Sequence, residues 1–188
     1  MVMAARHSAN RKASNSGRKL IILAIAVTAL VAADQFTKFL IRANLAYFGR
    51  IDLLGIVQIV NITNTGSVFG LLKGTQPFLI ELGLTAAAVL IVAYLHFERP
   101  IHKVSALIII AGILGNTIDR VGRGMVTDFI YVRPWPAFNL ADALLFTGTV
   151  ILMASLILPQ KEQRLHSDTK ISFKGTRKKK NKAIRGNR

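Results

Sequence analysis

Residues 104–120 read VSALIIIAGILGNTIDR, a long apolar run whose end carries four polar side chains. Three further apolar segments accompany it along the chain. A helix that crosses the hydrocarbon core of a membrane needs about 20 mostly apolar residues, with a lower limit near 17. The sequence therefore predicts an all-α membrane protein with four transmembrane helices, whose apolar segments are Leu20–Ala33 (continuing, more polar, to about Ile41), Pro77–Phe97, Val104–Ile118 and Phe138–Leu158.

The first and third segments reach spanning length only when their polar ends are counted. Those polar residues must then lie inside the membrane or just below its interface. An ionisable side chain at the bilayer centre costs about 2.5–3.5 kcal/mol on insertion scales, so it is rare without a function. The polar ends of the apolar segments are therefore where a functional site is expected.

Most of the positive charge lies in the two terminal stretches. The chain has a formal charge of +16, of which residues 1–19 and 159–188 supply +14. Basic tails beside apolar segments are typical of the cytoplasmic face of a membrane protein, where they meet anionic membrane lipids. Only one aromatic residue, Phe173, lies within these basic stretches, so we expect no nucleic-acid partner. The predicted organisation is a basic cytoplasmic N-terminal tail (1–19), a membrane domain (20–158) and a basic, disordered cytoplasmic C-terminal tail (159–188).

The distribution of Lys and Arg also predicts the orientation in the membrane. Four spans place both termini on one side, together with the turn Glu98–Lys103. That side carries 18 Lys and Arg residues, against 7 on the other side. The excess marks the cytoplasmic side, so the polar ends of the first and third segments face the outer leaflet.

The first segment also has the pattern of a cleavable signal peptide. It has a basic start, a short apolar stretch and Val31-Ala-Ala33 immediately before Asp34. This order of features is the one that a signal peptidase recognises. Apolar residues continue at Phe36 and Phe39, which favours a retained helix. Cleavage would leave the orientation of the other spans unchanged, so topology does not decide between the two interpretations.

The segment between the first two spans, residues 44–76, predicts a small β-sheet on the outer surface. The stretch V57-Q-I-V-N-I-T-N64 alternates loosely between apolar and polar residues, which indicates a strand. Asn64-Thr65-Gly66 then has the composition of a turn, because glycine readily adopts a positive φ angle.

Three groups of polar residues have helical spacing at the predicted outer ends of the transmembrane helices. Residues three or four apart share one face of a helix. The simplest interpretation is that they are helix caps and snorkelling ion pairs at the interface, and for Asp142 a cap at a helix start is a reasonable role. The groups are Asn116 with Asp119 and Arg120, Asn139 with Asp142, and Asp34 with Lys38.

Asp128 is harder to explain as a structural residue. It lies between Val126 and the apolar run Phe129–Val132, where a carboxylate needs partners. Two carboxylates close together in a low-dielectric site cannot both ionise easily, so one pKa rises and the pair holds one proton near neutral pH. The ionised member can then take a proton from water while the protonated member polarises a carbonyl, which is the chemistry of aspartic-type amide hydrolysis.

Other catalytic classes fit the sequence less well. The chain has no cysteine, which excludes thiol catalysis, thiolate metal sites and disulfides. All four histidines fall on the predicted cytoplasmic side, so neither a zinc motif nor a Ser–His–Asp triad can be assembled. Ser67 could act as a nucleophile with Lys73, but it is more simply a small residue of the turn.

Two non-hydrolytic alternatives remain open from the residues alone. Intramembrane carboxylates also serve as proton relays in small transporters or channel subunits, which would place carboxylates at successive depths across the membrane. In this chain they cluster towards one face, with Glu81, Glu98 and Asp52 as the other acids of the body. A lipid-binding scaffold without catalysis would not need both Asp128 and Asp142.

Five short motifs together resemble lipoprotein signal peptidase, the type II signal peptidase of bacteria. Each motif alone is weak, but the five occur in the order found in that family and span residues 34–142. The long terminal tails fall outside the resemblance. The motifs are D34-Q-F-T-K38, N64-T-G66-S-V-F69, G115-N-T-I-D-R120, V126-T-D128-F129 and F138-N-L-A-D142.

The resemblance implies a four-helix aspartyl peptidase of the bacterial cytoplasmic membrane. Such an enzyme needs no cofactor or metal and cleaves prolipoproteins before the diacylglyceryl-modified cysteine. It implies that the first segment is a retained helix, and it is compatible with a monomer. The catalytic pair of the family falls on Asp128 and Asp142. Supporting or substrate-binding positions fall on Asn116, Asp119, Arg120 and Asn139, on Asn64 and Gly66 in a substrate cradle, and on Asp34 and Lys38 in the first helix.

The chain departs from the family pattern at two places. Ser67-Val68 stands where the cradle usually has small alanines. The stretch from Asp128 to Asp142 is also short, since the turn 133–136 replaces a longer loop. The first departure affects contacts of the cradle loop, and the second affects the shape of the lid region.

Overall fold

The structure, a computed structural model, describes residues 2–53, 55–66 and 76–158, without the side chains of 2–17, 19 and 20. It divides into two units, Met1–Met153 and Ala154–Arg188, and the described part of the second is limited to 154–158. The two tails of the predicted organisation therefore lie largely outside the described side chains. The elements in chain order are α1 (Val2–Asn44), β1 (Arg50–Asp52), β2 (Val57–Asn64), α2 (Gln76–His96), α3 (Pro100–Arg123), β3 (Val126–Val132) and α4 (Leu140–Ile157).

Four helices in the described part of the chain are long and apolar enough to cross a membrane. The spans are Ile21–Asn44 of α1 and the whole of α2, α3 and α4. α3 is the central helix, because 56% of its most apolar window is buried, against 11% in α1 and α4 and 6% in α2. The three outer helices expose most of their apolar side chains, as expected of surfaces that contact lipid.

The third helix is longer at both ends than its apolar run. It begins at Pro100, which suits a first helical position because the missing N–H would have no partner there. It ends before Gly124, whose φ of 70° closes the helix with a hydrogen bond from its N–H to the carbonyl of Arg120. Lys103 therefore lies in the helix, and the turn predicted over 98–103 is shorter than expected.

The sheet has three antiparallel strands in the order β1-β2-β3. The predicted strand 57–64 is confirmed as β2, and the predicted turn after it has a positive φ of 72° at Gly66. The third strand comes from the connection between α3 and α4, which the sequence did not predict to be a strand. Because β2 pairs with β3, the loop after α1 is joined directly to the loop before α4.

Glycines allow α3 and α4 to pack closely where they cross. A Cβ atom on Gly112 would lie 2.5 Å from the carbonyl oxygen of Ala141, and one on Gly148 would lie 3.0 Å from the carbonyl oxygen of Ser105. A contact of 2.5 Å is shorter than real Cβ atoms make, and a Cβ on Gly148 would also lie 2.7 Å from Ile109 Cγ1, so both positions favour glycine. This packing holds the start of α4 against the polar end of α3.

Candidate active site

Asp128 reaches the site from the middle of β3. In the register of the sheet, Asp128 is opposite Ile62 and Val126 is opposite Asn64. Asn64 is therefore the nearest polar side chain at the end of the neighbouring strand. Its Nδ2 donates a hydrogen bond to Asp128 Oδ2 at 3.1 Å. The strand Val126–Val132 therefore positions the carboxylate of Asp128. The sequence indicated only that this carboxylate lies among apolar residues.

Asp142 lies in the first turn of α4 and forms a reciprocal cap with Asn139. The backbone N–H of Asp142 donates to Asn139 Oδ1 at 2.9 Å, and the backbone N–H of Asn139 donates to Asp142 Oδ2 at 3.2 Å. This is the capping-box arrangement, with an aspartate in the place of the usual glutamate. The predicted capping role of Asp142 is therefore present.

Asn139 bridges the two carboxylates. Its side-chain Nδ2 donates to Asp128 Oδ1 at 2.7 Å, while its backbone N–H holds Asp142. The same Nδ2 lies 3.2 Å from Asn116 Oδ1, and Asn116 Nδ2 donates to Asp142 Oδ1 at 2.7 Å. Asn139, Asn116 and Asp142 form a closed ring of hydrogen bonds, and Asp128 is attached to this ring through Asn139. Each carboxylate oxygen of Asp128 and Asp142 accepts at least one hydrogen bond.

Lys38 lies beneath this ring and is completely buried. Its Nζ is 2.8 Å from Asp34 Oδ2, 3.1 Å from Asp119 Oδ2 and 3.1 Å from Asn116 Oδ1. The snorkelling interpretation of Asp34 and Lys38 is wrong, because both side chains have 0% relative exposure. Their spacing on α1 reveals the ion pair, but the partners on α3 that make burial possible are distant in sequence.

Asp34 also caps α4 from outside that helix. Its Oδ1 accepts a hydrogen bond from the backbone N–H of Ala141 at 2.9 Å, one of the donors that a helix start leaves without an internal partner. Gly115 permits this approach, since a Cβ there would lie 2.8 Å from Asp34 Oδ2. Asp34 therefore connects α1 to the helix that carries Asp142.

Asp119 connects α3 to the start of β3. Its Oδ2 accepts from the backbone N–H of Thr127 at 3.3 Å, next to Asp128 in the chain. The sequence did not single out Arg42 or Thr127, yet Arg42 Nη1 donates to Thr127 Oγ1 at 3.1 Å and lies 3.9 Å from Asp119 Oδ1. Arg42 stands four residues after Lys38, and this helical spacing is the signal that could have identified it.

Arg120 and Gly66 also lie outside this ring of hydrogen bonds, and three residues named from the sequence cannot be placed. Arg120 makes no ion pair or hydrogen bond with another described side chain, and its buried Nε has no partner. The N–H of Gly66 donates to Asn64 Oδ1 at 2.8 Å and so orients Asn64 towards Asp128. Ser67 and Lys73, the alternative nucleophile pair, lie outside the described residues, as does Val68.

Burial raises the pKa of Asp128 from its ordinary value of 3.8 to about 6, and the negative charge of Asp142 acts in the same direction. Hydrogen bonds from Asn139 and Asn64 and the positive charge of Lys38 act in the opposite direction. Near pH 6 a substantial fraction of Asp128 therefore keeps its proton. Asp128 can then act as an acid beside the carboxyl group of Asp142.

The amino-acid sequence matches one known family of proteins. The family model for signal peptidase (SPase) II matches residues 25–158. The chain is 34% identical to the lipoprotein signal peptidase of Moorella thermoacetica over 146 residues, which cover 76% of this chain and 95% of that protein. It is 41% identical to the lipoprotein signal peptidase of Dehalococcoides mccartyi over 129 residues, which cover 65% of this chain and 81% of that protein.

The fold matches a solved structure as well. A bacterial membrane enzyme determined by the in meso method superposes with a TM-score of 0.66 at 26% sequence identity. The superposition covers 74% of this chain and 94% of that enzyme.

Proposed function

The chain belongs to the signal peptidase II family, and we propose that it hydrolyses prolipoproteins before the diacylglyceryl-modified cysteine, with Asp128 and Asp142 as the catalytic pair. Membership of the family makes it a membrane peptidase that removes signal peptides from prolipoproteins. The aspartic chemistry, the cleavage position and the roles of individual residues are the proposal.

The observation that supports this proposal most strongly is the bridge that Asn139 makes between the two carboxylates. One residue donates to Asp128 from its side chain and to Asp142 from its backbone, so the two groups are held in one fixed relationship. The described ion pairs of Lys38 are with Asp34 and Asp119, so no ion pair among the described residues neutralises either member of the pair directly.

In the first step Asp142 acts as the general base and Asp128 as the general acid. Asp142 takes a proton from a water molecule, whose oxygen forms a bond with the carbonyl carbon of the scissile peptide. Asp128 gives its proton to the carbonyl oxygen at the same time. The product is a neutral tetrahedral diol, with Asp142 protonated and Asp128 ionised, and no covalent bond to the enzyme forms.

In the second step the two aspartates exchange roles. Asp142 gives its proton to the nitrogen of the modified cysteine, and the C–N bond breaks. Asp128 takes back a proton from the diol, which leaves a carboxylic acid at the end of the signal peptide. The pair returns to its starting state, with one proton on Asp128, so the cycle balances without any other reactant.

The distribution of charge supports a site near the outer leaflet and cytoplasmic termini. The cluster of carboxylates lies where α1 and α3 end and α4 begins, whereas the terminal stretches carry most of the Lys and Arg. Cytoplasmic loops are enriched in Lys and Arg. A substrate with two acyl chains would reach the site by lateral diffusion, and its membrane anchor would lower the entropic cost of association.

The direct test compares two peptides that differ only in their lipid. Purified full-length protein in detergent is incubated with a peptide that contains a diacylglyceryl-modified cysteine and with the same peptide unmodified. Mass spectrometry of the products should show one cut, immediately before the modified cysteine, and no cut in the unmodified peptide. Cleavage elsewhere, or equal cleavage of both peptides, would contradict the proposed specificity.

A further inference from the structure

The side-chain amide of Asn116 can have only one orientation in this site. Its Oδ1 lies within hydrogen-bond distance of two donors, Lys38 Nζ at 3.1 Å and Asn139 Nδ2 at 3.2 Å. Its Nδ2 points the other way and donates to Asp142 Oδ1 at 2.7 Å. Asn116 is buried, so no solvent water replaces these partners.

Lys38 fixes this orientation because an ammonium group can only donate. It has three N–H groups and no lone pair, and it has three acceptors, on Asp34, Asp119 and Asn116. If the amide of Asn116 turned over, its NH₂ group would face the ammonium and its oxygen would face the carboxylate of Asp142. Both contacts would then be repulsive in a buried environment, where unpaired polar groups are costly.

We propose that Lys38 is a positioning residue for the hydrolysis, which holds the amide of Asn116 so that a donor always faces the base Asp142. The donor fixes the carboxylate of Asp142 in the rotamer that receives the proton of water. This inference rests on the proposed function, because it assigns Lys38 a task only if Asp142 is the base.

Lys38 affects the acid as well as the base. The charged groups around it are Asp34 and Arg42 on α1 and Asp119 on α3, with Asp128 and Asp142 across Asn116 and Asn139. Its charge lowers the pKa of Asp128 against the effect of burial. Removal of Lys38 should therefore move the alkaline limb of the activity profile to higher pH, a change that loosened packing alone would not produce.

The first experiment removes Lys38 together with one of its counter-charges, so that no extra buried charge is left. The double variant Lys38→Met, Asp119→Asn is assayed on the diacylglyceryl peptide beside the single variant Asp119→Asn. The kcat of the double variant should be about 10- to 100-fold lower than that of Asp119→Asn. Losses of this size are typical when a residue that orients a functional side chain is removed. KM should change far less, and the alkaline limb should move upwards.

The matched control is Gln35→Met. Gln35 donates to Asp34 Oδ2 and to the carbonyl of Gly115 in the same region, but neither hydrogen bond involves Asn116. It should keep the kcat and the pH profile of the wild type. An equal loss of kcat with an equal shift of the profile in Gln35→Met would overturn the inference, because the effect would then come from packing in general.

A second variant tests the donor at position 116 whether or not the first variant folds. Asn116→Asp keeps the shape of the side chain and pairs with Lys38, but at neutral pH it presents an acceptor to Asp142. Its kcat should fall at least as far as that of the Lys38 variant and partly recover at acid pH. Retention of the wild-type kcat at neutral pH would overturn the inference.

Asp142→Asn is assayed in parallel to separate the two proposals. If that variant is inactive while the Lys38 variant keeps the kcat of Asp119→Asn, only the positioning role fails. If Asp142→Asn is active, the proposed function itself fails.

Discussion

The backbone N–H of Asn139 donates to the carboxylate of Asp142, and the backbone N–H of Asp142 donates to the side chain of Asn139, at 3.2 and 2.9 Å. Asp142, the proposed base, therefore forms the N-terminal cap of α4 together with Asn139. The catalytic geometry and the start of α4 therefore depend on the same two residues. Substitutions that keep one of these two roles and remove the other can separate their effects.

Asn139→Ser should keep the N-terminal cap of α4 but lose most of the peptidase activity. Serine can accept from the N–H of residue 142, but it cannot reach Asp128 or Asn116. We expect kcat to fall by about 10²-fold, as for loss of one preorganised donor, with little change in the thermal midpoint. Asn139→Ala should lose the cap as well and be destabilised further by about 1 kcal/mol. Equal midpoints for the two variants, measured in the same detergent, would contradict this division of roles.

The alkaline limb of kcat/KM in the free enzyme should lie near the pKa of Asp128, about 6. Below that pH Asp128 holds the proton that it must donate, and above it Asp128 ionises and the pair loses its acid. Activity should therefore fall as the pH rises through this value. Substrate binding should move the limb of kcat to higher pH, because exclusion of water disfavours the second charge.

Asn64→Ala should move this alkaline limb upwards. The hydrogen bond from Asn64 Nδ2 to Asp128 Oδ2 lowers the pKa of Asp128, so its loss raises that pKa. Thr63→Val is the control, since Thr63 is the adjacent residue of β2 and bonds Tyr47 rather than Asp128. A limb that stays in place or moves to lower pH in Asn64→Ala would show that Asp128 does not control it.

Gly115→Ala should impair both stability and activity. Its Cβ would lie 2.8 Å from Asp34 Oδ2 and 2.9 Å from Ala141 Cβ, where α1, α3 and α4 meet. Overpacking of this kind costs about 1–3 kcal/mol, and it displaces the start of the helix that carries Asp142. Gly122→Ala on the same helix meets no atom within 4 Å. It should be neutral or stabilising, so a similar effect of the two substitutions on kcat or thermal midpoint would refute the packing argument.

Truncation after Gln160 should leave peptidase activity in detergent close to that of the wild type. The removed residues are strongly basic and lie outside the residues matched by the family, 25–158. Basic residues near an anionic membrane surface contribute about 1 kcal/mol each to membrane binding, so the tail's expected role is electrostatic. A truncated protein that inserts normally but is inactive would point to a contribution of the tail to the site.

Part of this molecule could be predicted from sequence because its signals are local. Four apolar segments, one alternating strand and the turn at Gly66 each depend on a few neighbouring residues. β1 is only three residues long, and the seven residues of β3 form a short apolar run that could equally be part of a buried helix. The sequence pattern was therefore too weak to identify β1 and β3 as strands.

The burial of Asp34 and Lys38 could not be predicted, because it depends on distant partners. Spacing on α1 shows that the two side chains can pair, but Asn116 and Asp119 lie about eighty residues further along the chain. The same is true of the end of α3. Its polar last turns stay helical because Asn116 and Asp119 find partners on α1, β3 and α4, which hydropathy does not detect.

The central claim is that Asp128 and Asp142 act together in hydrolysis, and the most direct test is single-turnover cleavage of the diacylglyceryl peptide by Asp128→Asn, Asp142→Asn and the double variant. The substitutions remove the acid or the base while keeping the shape of each side chain. We predict that each single variant loses at least about 10³-fold in rate and that the double variant loses little more, because residues that act as a unit are not additive. Retention of a substantial share of the wild-type rate by either single variant, in protein that is folded and inserted, would contradict the account.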